Sequence, residues 1–271
     1  MRCYDFKYDG RTLSDFGFII CKFNGGGMDT VSNGAPITFN TVSTLGGDKW
    51  ELTSSMYEEC LEATFQICKN FCDGEEEEIT FDEIRHIMRW LNRKGFHKFK
   101  LLEEGYVDVY YEASFNVSKI EFDGKVIGFE LDMITNRPFA LLEPVCISFE
   151  NTEDDIEEGK VWSLSSMSDD EGYIYPEMTI VCNADGDLSM YNEAEDRDMV
   201  INNCSFGETI TLNYPIIESS LGDDRKTKIQ DDFNWVFYRL ANKFMDSRNK
   251  TTISLPCSVE IIYCPIVKVG I

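Results

Sequence analysis

Hydrophobic positions change period several times along the chain, and each change predicts an element. Between Thr80 and Gly95, Ile84, Ile87, Met88 and Leu91 recur at i, i+3, i+4 and i+7, which lays one apolar stripe along a helix of about four turns. Thr80 and Glu83 have capping-box spacing, and Gly95 can supply the left-handed residue that stops the helix. Arg85, Arg89, Arg93 and Lys94 take the wet face and last turn, where positive charge suits the helix dipole. The opening Tyr4 to Tyr8 alternates instead, up to an Asp9-Gly10 turn, and Phe16 to Ile20 restarts as a second strand; together they predict a hairpin. From Asn24 to Gly47 small polar residues and glycine dominate, with turn signals at Asn33-Gly34 and Gly46-Gly47, so a long loop or arm is expected.

The stretch from Tyr57 to Cys72 fits two periods. Tyr57, Leu61, Thr64 and Cys68 suit a helix, whereas Leu61, Ala63, Phe65 and Ile67 alternate with Glu62, Thr64 and Gln66. The alternation predicts a strand, paired with Tyr110 to Ile120. Pro138 and Pro144 cannot donate to a ladder and bracket a change of regime, which places a boundary near Leu142 and divides the chain into 1–142 and 143–271. Beyond it short alternating segments follow at Val145 to Phe149, Lys160 to Leu164, Met178 to Cys182, Leu188 to Tyr191, Met199 to Asn202, Thr209 to Tyr214, Phe233 to Tyr238, Thr251 to Leu255 and Ser258 to Tyr263. Short strands with turn residues between them and no strong amphipathic helix predict a β-sandwich. The fold class expected is mainly β, a β-rich α+β chain: a β-sandwich-like first domain with one α-helix and a β-hairpin, then a second sandwich.

The run from Thr80 to Leu142 carries Arg89-Trp90-Leu91-Asn92-Arg93, Tyr110-Tyr111, Asn116 to Ile120, Gly124, Ile127 to Leu131 and an exit of Asn136-Arg137-Pro138-Phe139-Ala140. In that order these residues resemble the N-terminal domain of siphophage distal tail (Dit) proteins, ring proteins that join the tail tube to the tip or baseplate. Leu13 to Gly17 is similar to their opening segment. The second half resembles their galectin-like C-terminal domain through Pro176 to Ile180, Phe206 to Leu212, Asn249, Thr252-Ile253, Val259 to Ile261 and Tyr263 to Pro265. The resemblance covers nearly the whole chain. It implies a structural protein that forms a homohexamer at the tail tip or baseplate of a phage or prophage particle. The partners implied are a tail tube protein, a tail-associated hub protein and receptor-binding or fibre proteins. It singles out Trp90, Leu91, Arg93, Tyr110, Tyr111, Arg137, Pro138 and Phe139 as ring or scaffold residues, with Trp90 in the core and one of the adjacent tyrosines at an interface.

Composition narrows the reading further. The 271 residues are 43% apolar and 13% aromatic, enough for two cores. No apolar run of about 18 residues or more appears and the start lacks a signal-peptide pattern, so a soluble protein made in a cytoplasm, with no membrane insertion, is expected. Net charge is −24, with 15 Lys+Arg against 24 Asp+Glu in 1–142 and 10 against 25 in 143–271. That balance disfavours specific nucleic-acid binding and favours solubility; in a ring, an acidic lumen would let DNA pass without sticking. The ten cysteines are scattered through apolar patterns and are expected as reduced, buried thiols.

Candidate chemistry is thin. His86 and His97 are the two histidines, and neither accompanies a nucleophile signature, so a Ser-His or Cys-His enzyme is not expected. Gly25-Gly26-Gly27 lacks the Lys-Ser/Thr and helix start of a phosphate loop. Cys68 with Cys72, and the acidic turn Glu75 to Glu78, lack metal-ligand spacing, so neither metal nor cofactor is expected. Trp162, Tyr173, Tyr175, Tyr191 and Trp235 can be read as sandwich core and edge aromatics or as a sugar-stacking face. A glycan-binding, lectin-like adhesin is therefore the competing reading, and a cell-wall hydrolase built on paired carboxylates ranks behind it.

Overall fold

The computed structural model describes residues 4–23, 35–43, 46–70, 78–243 and 248–270. The chain forms two compact units, Met1–Leu142 with Val267–Ile271, and Glu143–Ile266. The expected second domain of 143–271 therefore ends early. Strand β22 (Ile266–Val267) pairs with β10 (Ala140–Leu142), and the Tyr106 and Tyr111 hydroxyls donate to the Gly270 carbonyl at 3.3 and 2.9 Å. These bonds satisfy backbone groups of the last residues within the first unit.

The first unit is built on a sheet in the order β2 (Arg11–Thr12), β1 (Phe6–Tyr8), β7 (His97–Leu101), β8 (Val109–Phe122), β9 (Lys125–Thr135), β6 (Glu62–Lys69) and β3 (Phe18–Cys21), with β10 joined to β8. Asp9-Gly10 turns β1 into β2, and Asp123-Gly124 turns β8 into β9; all four residues have positive φ, the backbone of a tight hairpin turn. The expected pairing of Phe16 to Ile20 with the first strand is corrected. A 3-10 turn at Ser14–Phe16 and left-handed Gly17 redirect the chain, so β3 pairs with β6 at the far edge of the sheet. A second correction concerns β6, which is a strand but pairs with β9 and β3. Strand β8 is already occupied by β7 on one side and β9 on the other. The sheet curls enough for the Ile20 amide to donate to the Tyr4 carbonyl at 3.0 Å.

Inside this curl lie Phe6, Tyr8, Phe18, Phe65, Ile67, Phe99, Phe115, Phe129 and Leu131. Helix α1 (Phe81–Leu91) covers them with Ile87, Trp90 and Leu91; Ile84 and Met88 are only half-buried, because the buried stripe is rotated toward Trp90. The helix has about three turns rather than four. It ends at Asn92, and Gly95, at φ 92°, serves the turn into β7. Its capping box is formed: the Thr80 amide donates to Glu83 Oε2 at 2.7 Å and the Glu83 amide to Thr80 Oγ1 at 3.4 Å. Glu83 also meets Lys69 Nζ at 2.9 Å, which ties the helix start to β6. Thr80→Ala should therefore destabilise the first unit by about 1 kcal/mol, read as a lower urea midpoint with unchanged slope. No shift in the midpoint would show that the cap contributes nothing.

The second unit is a β-sandwich. One sheet runs β11 (Val145–Asn151), β21 (Cys257–Tyr263), β14 (Glu177–Cys182), β17 (Thr209–Asn213), β18 (Ile216–Ser219), and the other β12 (Trp162–Ser165), β20 (Arg248–Ile253), β15 (Gly186–Asn192), β16 (Arg197–Cys204). Every second residue of both sheets points into one core, with Ile180, Ile210, Val259 and Ile261 from the first facing Leu188, Met190, Met199 and Ile201 from the second. A small sheet of β13 (Gly172–Ile174) and β19 (Leu240–Asn242) and the short helices α2 (Glu153–Glu157) and α3 (Ile229–Asp232) complete it; none of these was expected. The expected strand Phe233 to Tyr238 is corrected. Phe233 makes one isolated bridge to Ile201, Asn234 then caps a turn by taking the Val236 amide on its side-chain oxygen, and Trp235 is left-handed at φ 59°. The alternation there buries Phe233 and Phe237 without a ladder.

Candidate assembly surface

Part of the segment expected as a loop or arm is a strand. Strand β4 (Ile37–Ser43) pairs with β5 (Trp50–Tyr57) as a two-stranded sheet of its own, so among the described residues neither outer edge of this hairpin has a strand partner. The Asn33-Gly34 turn signal lies outside the described residues. Residues directly opposite one another share a face. The pairs Ile37 with Tyr57, Phe39 with Ser55, Thr41 with Leu52 and Ser43 with Trp50 make one face, and Thr38 with Met56, Asn40 with Ser54 and Val42 with Glu51 make the other. A bulge at Thr53, whose hydroxyl donates to the Asn40 carbonyl at 2.8 Å, keeps the two faces in phase past the middle of the hairpin. The first face is apolar and uncovered: Phe39 is 62%, Trp50 66% and Leu52 58% exposed. A two-stranded hairpin alone in water is marginally stable, and an exposed apolar row of this kind marks an interaction surface.

The base of the hairpin meets one residue the sequence singled out. The half-buried Phe139 ring meets Tyr57 edge-on at 6.3 Å, and Lys268 Nζ lies 5.9 Å from the Tyr57 ring centre. Pro138 is half-buried beside it, and exposed Arg137 donates from Nε to Glu112 Oε2 at 3.4 Å, while its carbonyl takes the Leu61 amide. The other named residues lie elsewhere. Trp90 and Leu91 are in the core, Trp90 stacked on Phe16 at 4.5 Å with its indole N–H donating to the Tyr8 carbonyl at 3.0 Å. Arg93 pairs with Asp9 at 2.9 Å and lies over the Tyr8 ring at 5.2 Å, holding the helix end to the first hairpin. Hydrogen bonding to Arg93 holds the Asp9 carboxyl below its usual range. Neither tyrosine is exposed: Tyr110 is packed under Lys98 Nζ at 4.3 Å, and burial pushes the Tyr111 hydroxyl above its ordinary pKa. The expectation that one of them faces an interface is corrected, because β10 pairs at Tyr110 and the chain's last residues cover Tyr111.

Ile37, Phe39, Trp50 and Leu52 were not singled out by sequence reasoning. The signal was present as Ile-Thr-Phe-Asn and Trp-Glu-Leu-Thr alternation on either side of Gly46-Gly47. Of the five aromatic residues of the sugar-stacking reading, Tyr173, Tyr175 and Trp235 are linked through Tyr214 and Phe237, whereas Trp162 and Tyr191 have other partners. Of them only Tyr173 and Tyr175 touch, at 5.6 Å; Trp162 stacks on Phe149 and donates to Asn151, and the Tyr191 hydroxyl donates to Asp196. His86 is exposed on α1, while the His97 ring meets Tyr8 edge-on at 5.6 Å. Among the described residues no group of three His, Cys, Asp or Glu side chains is placed to hold a metal ion; Cys72 and Glu75 to Glu77 lie outside them. No helix among them is long and apolar enough to cross a membrane.

Comparison with known proteins gives this surface its context. The chain is similar over 97% of its length to a solved structure of the SPP1 Dit (gp 19.1) protein, with a TM-score of 0.66, 12% identity and 99% of that chain covered. That protein is described as a paradigm of the hub adsorption apparatus in phages infecting Gram-positive hosts. At this identity the likeness is one of fold. No curated protein matches the chain. Residues 1–137 match a family model described as a phage tail protein N-terminal domain, and residues 148–263 match one described as a phage tail C-terminal domain. The chain therefore belongs to the phage tail protein family that these two domains define.

Proposed function

We propose that the chain is a structural, non-catalytic hub of the distal tail, assembling as a homohexameric ring that joins the tail tube to the tip or baseplate. The observation that carries this reading is the free-standing β4–β5 hairpin with its uncovered apolar face. Burying a large apolar side chain contributes about 1.5–3 kcal/mol, so a row of Ile37, Phe39, Leu52 and Trp50 seated on the next copy supplies a substantial part of a subunit contact. Such a contact is heterologous, since the hairpin of one copy meets a different surface of the next, and heterologous contacts close into rings when the rotation between copies closes. The fold shared with a hub adsorption protein supports the same reading. In it the second unit is a docking platform for receptor-binding or fibre proteins, and a tail tube protein and a tail-associated hub protein are the axial partners.

The test is a Phe39→Asp, Leu52→Asp double variant, followed by mass measurement and negative-stain microscopy at high concentration. Rings in the wild type should be lost in the variant, while its melting temperature stays within the small range expected of exposed sites, about 0.5 kcal/mol equivalent. A wild type that stays monomeric and also fails to join the tail tube protein would overturn the ring. Rings that persist in the variant would remove the hairpin from the contact.

A further inference from the structure

The second unit carries a row of aromatic rings that runs from its core to the surface. Tyr173 lies in β13, Tyr175 in the link from β13 to β14, Tyr214 at the turn between β17 and β18, and Trp235 and Phe237 in the segment between α3 and β19. Three separate stretches of chain thus meet. Tyr173 touches Tyr175 edge-on at 5.6 Å, Tyr175 stacks on Tyr214 at 4.2 Å, Tyr214 meets Phe237 edge-on at 5.3 Å, and Phe237 meets Trp235 at 6.5 Å. Phe237 is buried and anchors the row, whereas Tyr173, Tyr214 and Trp235 are 54%, 54% and 57% exposed. Trp235 stands at φ 59° in a turn that Asn234 fixes on both sides, its side chain taking the Val236 amide at 3.1 Å and donating to the Asp198 carbonyl at 2.8 Å. Large rings exposed on a rigid base are the anchors that interfaces favour.

Charge around the row selects its occupant. Arg239 Cζ lies 3.7 Å from the centre of the Tyr173 ring, and the same guanidinium donates to Glu195 at 2.9 Å. One ring of the row therefore already holds a guanidinium on its face. The exposed carboxylates Glu171 and Glu177 flank Tyr173 and Tyr175 in the chain, and residues 143–271 hold 10 Lys+Arg against 25 Asp+Glu, with Arg225 and Arg239 already paired. We propose that this row docks an extended, arginine-bearing segment of the receptor-binding or fibre protein that the second unit carries, with guanidinium groups stacked on Tyr214 and Trp235 as Arg239 is stacked on Tyr173. This inference rests on the reading of that unit as a docking platform. An aromatic face attracts a cation through its quadrupole, and a planar guanidinium can stack there while donating to a neighbouring carboxylate. A neutral segment gains neither contact, and an acidic one is repelled.

The experiment titrates the full chain calorimetrically, at near-physiological salt, with a synthetic peptide of alternating arginine and glycine and with its lysine and citrulline counterparts. Saturable binding of the arginine peptide is expected, weaker for lysine and absent for neutral citrulline. Trp235→Ser and Tyr214→Ser should each lower the affinity about two- to fivefold, and the double variant about tenfold. Equal binding of the arginine and lysine peptides that both substitutions leave unchanged would be a diffuse response to net charge and would overturn the proposal. So would a cell-wall oligosaccharide that binds saturably through the same two rings while the arginine peptide does not. If a variant fails to fold, a photo-cross-linkable arginine peptide decides on the wild type: label at 173–175, 214–216 and 235–237 supports the row, and label confined elsewhere overturns it. Microscopy of the same samples separates this inference from the ring. Rings without peptide binding sink the docking row alone, and peptide binding without rings leaves it standing.

Discussion

Arg225→Ala should cost the second unit about 3–5 kcal/mol, the loss expected when one member of a buried ionic network is removed and its partners stay behind. The Arg225 side chain is 2% exposed and that of Glu208 is fully buried. Arg225 Nε donates to Glu208 Oε1 at 2.8 Å, Nη1 pairs with Asp232, and Nη2 reaches the Asn202 carbonyl at 2.8 Å. Glu208 in turn takes the Ser205 amide at 3.0 Å and the Ser219 hydroxyl at 2.6 Å. One guanidinium thus joins the end of β16, the crossing that follows it, the neighbouring β18 and helix α3. Without it two carboxylates lose their counter-ion in a site from which water is largely excluded. Arg225→Lys retains the charge but not the planar fork, so its loss should be smaller.

The same network gives a pH signature. Burial alone would raise the Asp232 pKa, but hydrogen bonds from Thr227, Asn203 and Arg225 outweigh it and hold the carboxyl below its ordinary value. A group whose pKa is depressed by folding contributes stability above its unfolded pKa, and that contribution is lost as pH falls toward the folded one. Wild-type stability should therefore decline as the pH drops through roughly 4 and below, and the decline should be shallower in Arg225→Ala. Urea titrations of both proteins across that range read the difference. Equal midpoints at neutral pH would show that the network contributes nothing net.

Trp90→Ala should destabilise the first unit by about 3–5 kcal/mol, because a large ring is removed from a packed core that can collapse only partly around the gap. The indole stacks on Phe16 at 4.5 Å and on Phe6 at 5.7 Å, and meets Tyr8 edge-on at 6.1 Å. Its N–H holds the Tyr8 carbonyl, so helix α1 is joined to β1 by packing and by one buried hydrogen bond. Trp90→Phe keeps most of the packing and deletes the bond; a loss of about 1 kcal/mol is expected. Native-state hydrogen exchange separates local from global effects. In Trp90→Ala, amides of β1, β7 and α1 should lose protection while those of β14, β17 and β21 keep theirs. Equal losses in both units would show that Trp90 does not act through the first core.

Helix α1 was legible because its determinants are local: a capping box between Thr80 and Glu83, and an apolar stripe within eleven residues. Most strands of the sandwich were legible for the same reason, since a period of two reports that one face is buried. Alternation says nothing about the neighbour. It placed β6 as a strand and paired it with β8, whereas the ladder that formed is with β9 and β3. At Phe233 to Tyr238 it reported buried side chains correctly and a ladder wrongly, because an Asn-capped turn can bury the same residues. One of the residues named from the exit motif, Phe139, turned out to meet Tyr57 at the base of a hairpin whose first strand, with Ile37 and Phe39, the sequence had left inside a loop.

From its residues alone the chain declared two β-rich parts with a change near Leu142, one capped helix, and ordered motifs resembling a phage tail protein. Those properties are written in neighbouring positions, where caps, turns and periodicity act over a few residues. The tertiary structure decided which strands became partners and brought the last residues back to the first unit. It also buried both tyrosines and left the β4–β5 face uncovered. These depend on contacts between residues far apart in the chain, where burial and hydrogen-bond satisfaction are settled by the whole fold rather than by any local pattern.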